Sequence, residues 1–248
     1  MKWIFLSPHL DDAALSCGGM IHQLAADGQI VEIWTVCAGD PPPGQLSPLA
    51  QILHERWQTA GNAPEIRRTE DAAACEVLGA DPVYFDIAEC IYRFRPDNGQ
   101  PLIGSNDELF QPLPDIEKPL ASQVTRMLAQ HLDGESRLVS PLAVGGHIDH
   151  HQVRTAAEGL DLPLYYYPDY PYIASGSQNQ SSLIQPGWQP VQFSISDADF
   201  VAWQTAVAAY RTQLSTFWIS LDDMKSALKD YRNQGGGSQL WCSQSSPE

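Results

Sequence analysis

Predicted strands and helices alternate along the first 165 residues, and this alternation constrains the fold more than any other feature of the chain. Short apolar runs predict the strands, and apolar residues at helical spacing predict the helices between them. The strands are predicted at 2–7, 30–37, 82–87, 137–144 and 162–168, and the helices at 13–26, 49–60, 68–78, 115–132 and 150–160. This order is typical of an α/β, Rossmann-like fold: a doubly wound, mostly parallel sheet with helices on both faces.

The pattern predicts a single domain over residues 1–248. Residues 1–170 would form its core, and residues 171–248 would complete it with one strand and two helices. The first of those helices is predicted to begin at a cap, Asp197 or Asp199, and to continue to about residue 214.

Two of the predicted strand ends carry polar clusters. Residues 7–12 read Ser-Pro-His-Leu-Asp-Asp after the first strand, and residues 145–151 read Gly-Gly-His-Ile-Asp-His-His after the strand at 137–144. In a doubly wound sheet, ligands bind outside the carboxyl ends of the strands, where the strand order reverses. We therefore expect the two clusters to converge at one edge of the sheet.

The residue types in these clusters favour a metal site. Two histidines and one carboxylate with an open position are a common ligand set of catalytic zinc. His9 and one of the adjacent Asp11 and Asp12 would supply two ligands, and His150 would supply the third. The other aspartate would then be free to act as general base on a metal-activated water.

The remaining polar residues of the second cluster have supporting roles in this interpretation. His147 could stabilise a developing oxyanion or protonate the leaving group. Asp149 could hold a histidine in one tautomer. The ligand set does not distinguish Zn²⁺ from Fe²⁺ or Co²⁺, because two histidines and one aspartate accept all three.

Each cluster alone also has a simpler interpretation. Asp11 or Asp12 could cap the helix that follows the first strand, and residues 147–150 could form a solvated turn. Two such clusters, each between a strand and a helix, favour the metal site instead.

The charge of the chain excludes some classes of partner. Lys and Arg number 14 against 30 Asp and Glu, so the net charge is −16. This charge repels nucleic-acid phosphates and anionic lipids, so we expect no binding of nucleic acid or of a membrane surface. No run of 18 apolar residues and no signal-peptide pattern occurs, so we expect no membrane insertion and a cytoplasmic protein, with homo-oligomer formation left open.

The paired motifs resemble those of the PIG-L/LmbE-like family of zinc-dependent N-acetylglucosamine deacetylases. The family's Pro-His-Pro-Asp-Asp stands here as Pro-His-Leu-Asp-Asp at residues 8–12, and its His-x-Asp-His stands at residues 147–150. The segment at 67–81 is similar to the family's Arg-x-x-Glu…Leu-Gly stretch. The resemblance spans roughly residues 1–170.

The resemblance implies a zinc-dependent hydrolase that removes an N-acetyl or other N-acyl group from an amino sugar or a glucosaminyl conjugate. The expected partner is therefore a small-molecule amino-sugar substrate. In this assignment His9, Asp12 and His150 are the metal ligands. Asp11 is the general base.

The resemblance also assigns residues around the substrate. His147 would act as acid or electrostatic stabiliser, with Asp149 orienting it. Arg67 would bind sugar hydroxyls or a phosphate, with Arg68 as the second choice. The alternative for Arg67 is a surface ion pair with Glu70, three residues further along a helix.

Two positions depart from the family pattern. Leu10 replaces the usual proline, and Gly145 stands where some family members carry an oxyanion-binding tyrosine. The aromatic run at 165–172 is a candidate source of a substitute tyrosine, although a strand followed by a turn also explains that run.

Two other functions are compatible with the sequence. One is a metal-independent, Rossmann-like module that binds a nucleotide or cofactor. The other is a non-catalytic, metal-binding homologue of the family. Metal content separates the first from the deacetylase, and release of a free amine separates the second.

Overall fold

The computed structural model describes residues 1–44, 46–59, 62–174 and 182–243. Within these ranges, seven strands form one sheet. The strands are β1 (Lys2–Ser7), β2 (Ile30–Thr35), β3 (Asp81–Tyr84), β4 (Ser136–Pro141), β5 (Leu164–Tyr167), β6 (Gln189–Gln192) and β7 (Gln239–Cys242). Their order across the sheet is β3-β2-β1-β4-β5-β7-β6.

The first five strands are parallel, and β7 is antiparallel to both of its neighbours, β5 and β6. The strand order reverses between β1 and β4, which is the switch point of a doubly wound sheet. The predicted α/β fold with a mostly parallel sheet is confirmed. The sequence pattern did not predict β7, a four-residue strand that follows three consecutive glycines.

Helices cover both faces of the sheet. In the described ranges they are α1 (Asp12–Ala26), α2 (Pro48–Trp57), α3 (Ala63–Leu78), α4 (Lys118–His131), α5 (Ile148–Glu158), α6 (Asp197–Ala209), α7 (Arg211–Phe217) and α8 (Leu221–Asn233). Short 3₁₀ helices occur at 90–92, 106–110 and 115–117. Across this part of the chain, no helix combines the length and apolar character needed to cross a membrane.

The predicted helix to about residue 214 is divided at Tyr210 into α6 and α7. Its cap is neither of the two predicted aspartates, but Ser196. The Ser196 hydroxyl accepts a hydrogen bond from the backbone N–H of Asp199, and the Asp199 carboxylate accepts one from the backbone N–H of Ser196. This reciprocal pair is a capping box, in which the aspartate occupies the third helical position.

β1 lies at the centre of the core. Trp3 and Phe5 pack in the cluster that includes helices α1 and α3, and Ile4 and Leu6 pack in the cluster on the opposite face with α4 and α5. Successive side chains of a strand point to opposite faces, so an almost continuously apolar strand is buried on both sides. The polar residues directly after β1 are therefore held by a rigid central strand.

Gly18 allows α6 to approach α1. A Cβ atom at Gly18 would lie 2.3 Å from Cδ1 of Trp203, whose side chain is fully buried on α6. The indole Nε1 of Trp203 donates a hydrogen bond to the carbonyl of Leu15 on α1. The glycine is thus explained by the close contact between these two helices.

Candidate metal centre

The two polar clusters meet at the switch point. β1 and β4 are adjacent and parallel, with Phe5 opposite Val139, so both strands end at the same edge of the sheet. The first cluster follows β1 and the second leads into α5. The predicted site residues of the two clusters are all buried: His9, Asp11, Asp12, His147, Asp149 and His150.

One carboxylate oxygen lies between two histidines. Oδ2 of Asp12 is 3.1 Å from Nδ1 of His9 and 3.3 Å from Nε2 of His150. Ligands on a tetrahedral zinc ion, each at roughly 2.0–2.1 Å from the metal, are separated by similar distances. A nitrogen atom of His147 also lies within 4.8 Å of nitrogen atoms of His9 and His150, so the arrangement offers a fourth metal-binding group.

The environment of His150 fits a bound metal. Its Nδ1 is 2.6 Å from Oδ1 of Asp169, and the other oxygen of Asp169 accepts a hydrogen bond from the N–H of Val144. Nε2 of His150 is buried and has no hydrogen-bond partner among the described residues. Buried polar atoms are almost always satisfied, and a metal ion in front of Nε2 would satisfy this one.

The second nitrogen of His9 is held by a buried carboxylate. Nε2 of His9 is 3.0 Å from Oδ2 of Asp149, which also accepts a hydrogen bond from the N–H of Cys90. Arg93 lies 2.7 Å from the other oxygen of Asp149 and 2.8 Å from a carboxylate oxygen of Glu117. The imidazole of His9 is therefore oriented by a chain of buried charges.

Asp149 contacts His147 through its backbone, which differs from the expected carboxylate contact. The N–H of Asp149 donates to Nδ1 of His147 at 3.2 Å, whereas the carboxylate is directed at His9. With Nδ1 accepting, a neutral His147 carries its proton on Nε2. Burial lowers the pKa of His147 well below its usual range, and the nearby His9 and His150 lower it further. The lowered pKa favours the neutral form of the His147 imidazole, in which Nε2 is the donor atom.

Asp11 is buried next to Asp12 and near Arg67. It occupies the N-cap position of α1, but its side chain makes no capping hydrogen bond. The alternative in which Asp11 serves only as a helix cap is therefore not observed. Burial raises the pKa of Asp11, the adjacent Asp12 raises it further, and Arg67 opposes both effects. A guanidinium nitrogen of Arg67 lies 4.0 Å from Oδ2 of Asp11.

Arg67 is buried, with 3% of its surface exposed, and it pairs with Glu89. Its guanidinium lies over the ring of Trp57, 5.0 Å from the centroid. The alternative of a surface pair with Glu70 is wrong, because Glu70 accepts hydrogen bonds from Thr212 instead. The second choice, Arg68, bonds to the carbonyl of Ala38 and to Asp40, away from the cluster.

A pocket of about 370 Å³ opens above the cluster. His9, Asp11, Asp12 and His147 lie along its wall together with Arg67. The pocket brings the predicted base, two predicted ligands, the predicted stabiliser and the predicted substrate-binding residue to one surface. Asp149 and His150 stand behind this surface.

Sequence reasoning missed two supporting residues: Asp169, which contacts His150, and Arg93, which contacts the Asp149 carboxylate behind His9. Asp169 is the second residue after the end of β5, so the rule that draws attention to strand ends could have found it. Arg93 lies in the long segment after β3. Only a short 3₁₀ helix separates it from that strand, and no sequence pattern around it predicts a functional residue.

Tyr172 comes from the predicted aromatic run and reaches the site. Its ring lies 5.5 Å from that of His150, between ring centroids. Gly145 has a φ of +89°, and a Cβ atom there would lie 2.7 Å from Cβ of Tyr172. The glycine therefore leaves the space that Tyr172 fills.

Comparisons with known proteins converge on one activity. A family model described as PIG-L, GlcNAc-PI de-N-acetylase, matches residues 4–160. The 2'-N-acetylparomamine deacetylase of Niallia circulans is 28% identical over 234 residues, which cover 86% of this chain and 80% of the relative.

Solved structures agree with this match. The zinc-inhibited form of the teicoplanin deacetylase Orf2 is similar with a TM-score of 0.83 and 28% identity, over 98% of this chain and 97% of that one. The A40926 pseudoaglycone deacetylase Dbv21 is similar with a TM-score of 0.71 and 27% identity, over 97% of this chain and 95% of that one.

Proposed function

The chain belongs to the PIG-L family of de-N-acetylases, and from this premise we propose that it hydrolyses the N-acetyl group of an amino sugar within a glycoconjugate. It is a metal-dependent N-deacetylase, as its relatives named for paromamine and teicoplanin deacetylation support. The products are acetate and the free sugar amine. No observation favours a metal-independent nucleotide-binding module.

We assign the metal to His9, Asp12 and His150, and we propose zinc as the native ion. The 3.1 and 3.3 Å distances around Oδ2 of Asp12 support this ligand set, as does the buried Nε2 of His150, which makes no hydrogen bond among the described residues. When bound, such an ion polarises the amide carbonyl and lowers the pKa of water. Asp149 and Asp169 hold the two histidines from behind.

Asp11 is the proposed general base. It borders the pocket next to the ligand Asp12, and Arg67 lies near one of its oxygens. In this position it accepts the proton of the attacking water. The same proton then passes to the amide nitrogen as the C–N bond breaks, so the sugar leaves as a neutral amine.

His147 is the proposed oxyanion stabiliser. Its Nδ1 accepts the backbone N–H of Asp149, so Nε2 is the donor. A neutral imidazole donor gains strength as negative charge develops on the carbonyl oxygen. Arg67, fixed by Glu89 and Trp57, is the proposed contact to sugar hydroxyls.

The observation that carries the proposal is the buried Nε2 of His150, which faces the Asp12 carboxylate at the base of a pocket that also contains Asp11. The test measures amine release from a panel of N-acetylglucosaminides before and after chelation, and after addition of one equivalent of Zn²⁺, Fe²⁺ or Co²⁺. One equivalent is used because a relative is described as zinc-inhibited. Chelation should abolish amine release, and zinc should restore it. Amine release that chelation leaves unchanged would contradict the proposal.

A further inference from the structure

We infer that the amino sugar deacetylated by this enzyme carries an apolar aglycone. The aglycone would pack against a surface formed by Leu53, Trp57, Phe110 and Phe217, which we term the apolar wall. This inference rests on the proposed function and names the substrate class for the same site.

The apolar wall is built from three separate parts of the chain. Leu53 and Trp57 lie on α2, Phe110 ends the 3₁₀ helix at 106–110, and Phe217 is the last residue of α7. Leu53 and Trp57 are buried in a hydrophobic cluster with Leu109, which makes this side of the pocket rigid. A preformed apolar surface of this kind lowers the entropic cost of binding an apolar group.

Phe110 joins the apolar wall to the catalytic residues. Its ring meets those of His147 and Tyr172 edge to face, at centroid distances of 5.6 and 5.8 Å. Nevertheless, 43% of the residue is exposed. An aromatic ring that borders a pocket and is almost half exposed offers apolar surface that a bound substrate can cover.

The charges around the pocket disfavour a polycationic substrate. The acidic residues that line it are Asp11, Asp12 and Glu89. Asp11 and Glu89 face Arg67, and Asp12 lies between two histidines. The other polar residues of the lining, apart from the site residues already described, are Arg56, Asn106, Gln213 and Thr216, which include a cation and no carboxylate.

The pocket has few carboxylates for a chain that contains 30 acidic residues. A substrate with several ammonium groups would find no uncommitted carboxylate among the described lining residues. The pocket volume of about 370 Å³ lies within the range of roughly 300–1,000 Å³ that is usual for small-molecule sites. The space beyond the sugar is therefore suited to a neutral, apolar substituent.

The experiment compares the methyl, phenyl and octyl glycosides of N-acetylglucosamine, which share the reacting amide. We expect kcat/KM to be about tenfold or more higher for the phenyl or octyl glycoside than for the methyl glycoside. Phe110→Ala and Phe217→Ala should each bring this ratio towards one. Phe94→Ala is the matched control, because Phe94 is 39% exposed and lies outside the pocket, and it should keep the wild-type ratio.

Binding to the chelated protein provides a readout that is independent of activity. Calorimetry should show tighter binding of the phenyl or octyl glycoside than of the methyl glycoside, and both wall variants should weaken that difference. Circular dichroism checks that each variant is folded. If Phe110→Ala does not fold, the result for Phe217→Ala is used to test the apolar wall.

The outcomes separate the two proposals. Equal kcat/KM for all three glycosides overturns the apolar aglycone and leaves the deacetylase intact. Preference for an N-acetylated, polycationic aminoglycoside over the phenyl glycoside also overturns it. If no glycoside is deacetylated, the proposed function fails, and equal calorimetric affinities then overturn the apolar wall as well.

Discussion

Oδ1 of Asp169 lies 2.6 Å from Nδ1 of His150, on the side of the imidazole opposite the nitrogen that faces Asp12. Both side chains are buried. A carboxylate in this position fixes the tautomer and the orientation of a metal-binding histidine. Through this contact, the segment after β5 supports a site whose proposed ligands come from the ends of β1 and β4.

Replacement of Asp169 should weaken metal binding. In Asp169→Asn the carboxylate behind His150 becomes a neutral amide, so we expect the metal affinity to fall by about 10- to 100-fold. Calorimetric titration of the chelated protein with Zn²⁺ measures the change. Asp199→Asn alters a second carboxylate–histidine pair, with His22 at 2.7 Å, and should keep the wild-type affinity. An affinity that is equal in Asp169→Asn and wild type would exclude the supporting role.

Replacement of Asp11 should separate catalysis from metal binding. Asp11→Asn removes the proposed proton acceptor but leaves His9, Asp12 and His150 in place, so we expect turnover to fall by about 10²- to 10⁴-fold. The metal content of the purified variant should match that of the wild type. Asp40→Asn, at an exposed partner of Arg68, serves as the control. Wild-type turnover in Asp11→Asn would refute the assignment of the base.

Loss of Arg93 should leave Asp149 without its cationic partner. Arg93→Met leaves Oδ1 of the fully buried Asp149 without its guanidinium partner, although Oδ2 keeps its contacts with His9 and Cys90. We expect the free energy of unfolding of the chelated protein to fall by about 3 kcal/mol or more. Urea denaturation measures this loss. The double variant with Asp149→Asn should recover part of the stability.

The control for this prediction lies two residues further along the chain. Arg95 forms an exposed pair with Asp97, and Arg95→Met should change the free energy of unfolding by less than about 1 kcal/mol. If Arg93→Met and Arg95→Met lower the free energy of unfolding equally, the buried pair of Arg93 and Asp149 contributes no more to stability than the exposed pair does.

Gly18 should tolerate no side chain. Gly18→Ala places a Cβ atom 2.3 Å from the buried ring of Trp203, so α1 and α6 must separate. We expect a loss of about 2 kcal/mol in the free energy of unfolding, despite the better helix propensity of alanine. Gly134→Ala introduces the same atom into open space and should be close to neutral. If thermal denaturation gives the two variants the same stability, the packing explanation for Gly18 is wrong.

Asp71 should make stability depend on pH. Burial raises its pKa from 3.8 to about 6, although a hydrogen bond from Tyr210 partly opposes this effect. The native state therefore holds a proton that the unfolded state releases between pH 3.8 and about 6. Stability from this residue is present below that window and is lost as the pH rises through it.

Asp71→Asn should remove this pH dependence. The free energy of unfolding of Asp71→Asn, measured relative to that of the wild type, should rise by about 2 kcal/mol between pH 4 and pH 7. Urea denaturation at several pH values measures the difference, and Asp97→Asn at the surface is the control. A difference between Asp71→Asn and wild type that does not change with pH would contradict the prediction.

Local pattern was sufficient for much of the fold. The predicted strand at 2–7 coincides with β1, and the predicted strand at 137–144 contains most of β4, Ser136–Pro141. An apolar run buried on both faces has the same signature wherever it occurs in a parallel sheet. β7 was missed because four residues carry too little periodicity, and its position between β5 and β6 depends on pairing with distant strands.

The two polar motifs could also be recognised from the sequence. Each follows a predicted strand, and the topology of a doubly wound sheet brings such strand ends together. By itself the sequence determined the α/β alternation, the two motifs and the resemblance to a metal-dependent deacetylase family. Only the tertiary structure decided how the supporting groups are shared. His9 and Asp149 are 140 residues apart, and Arg93 and Asp149 are 56 apart. The direction of a buried carboxylate depends on the donors that surround it after packing, and those donors come from segments that no local pattern links.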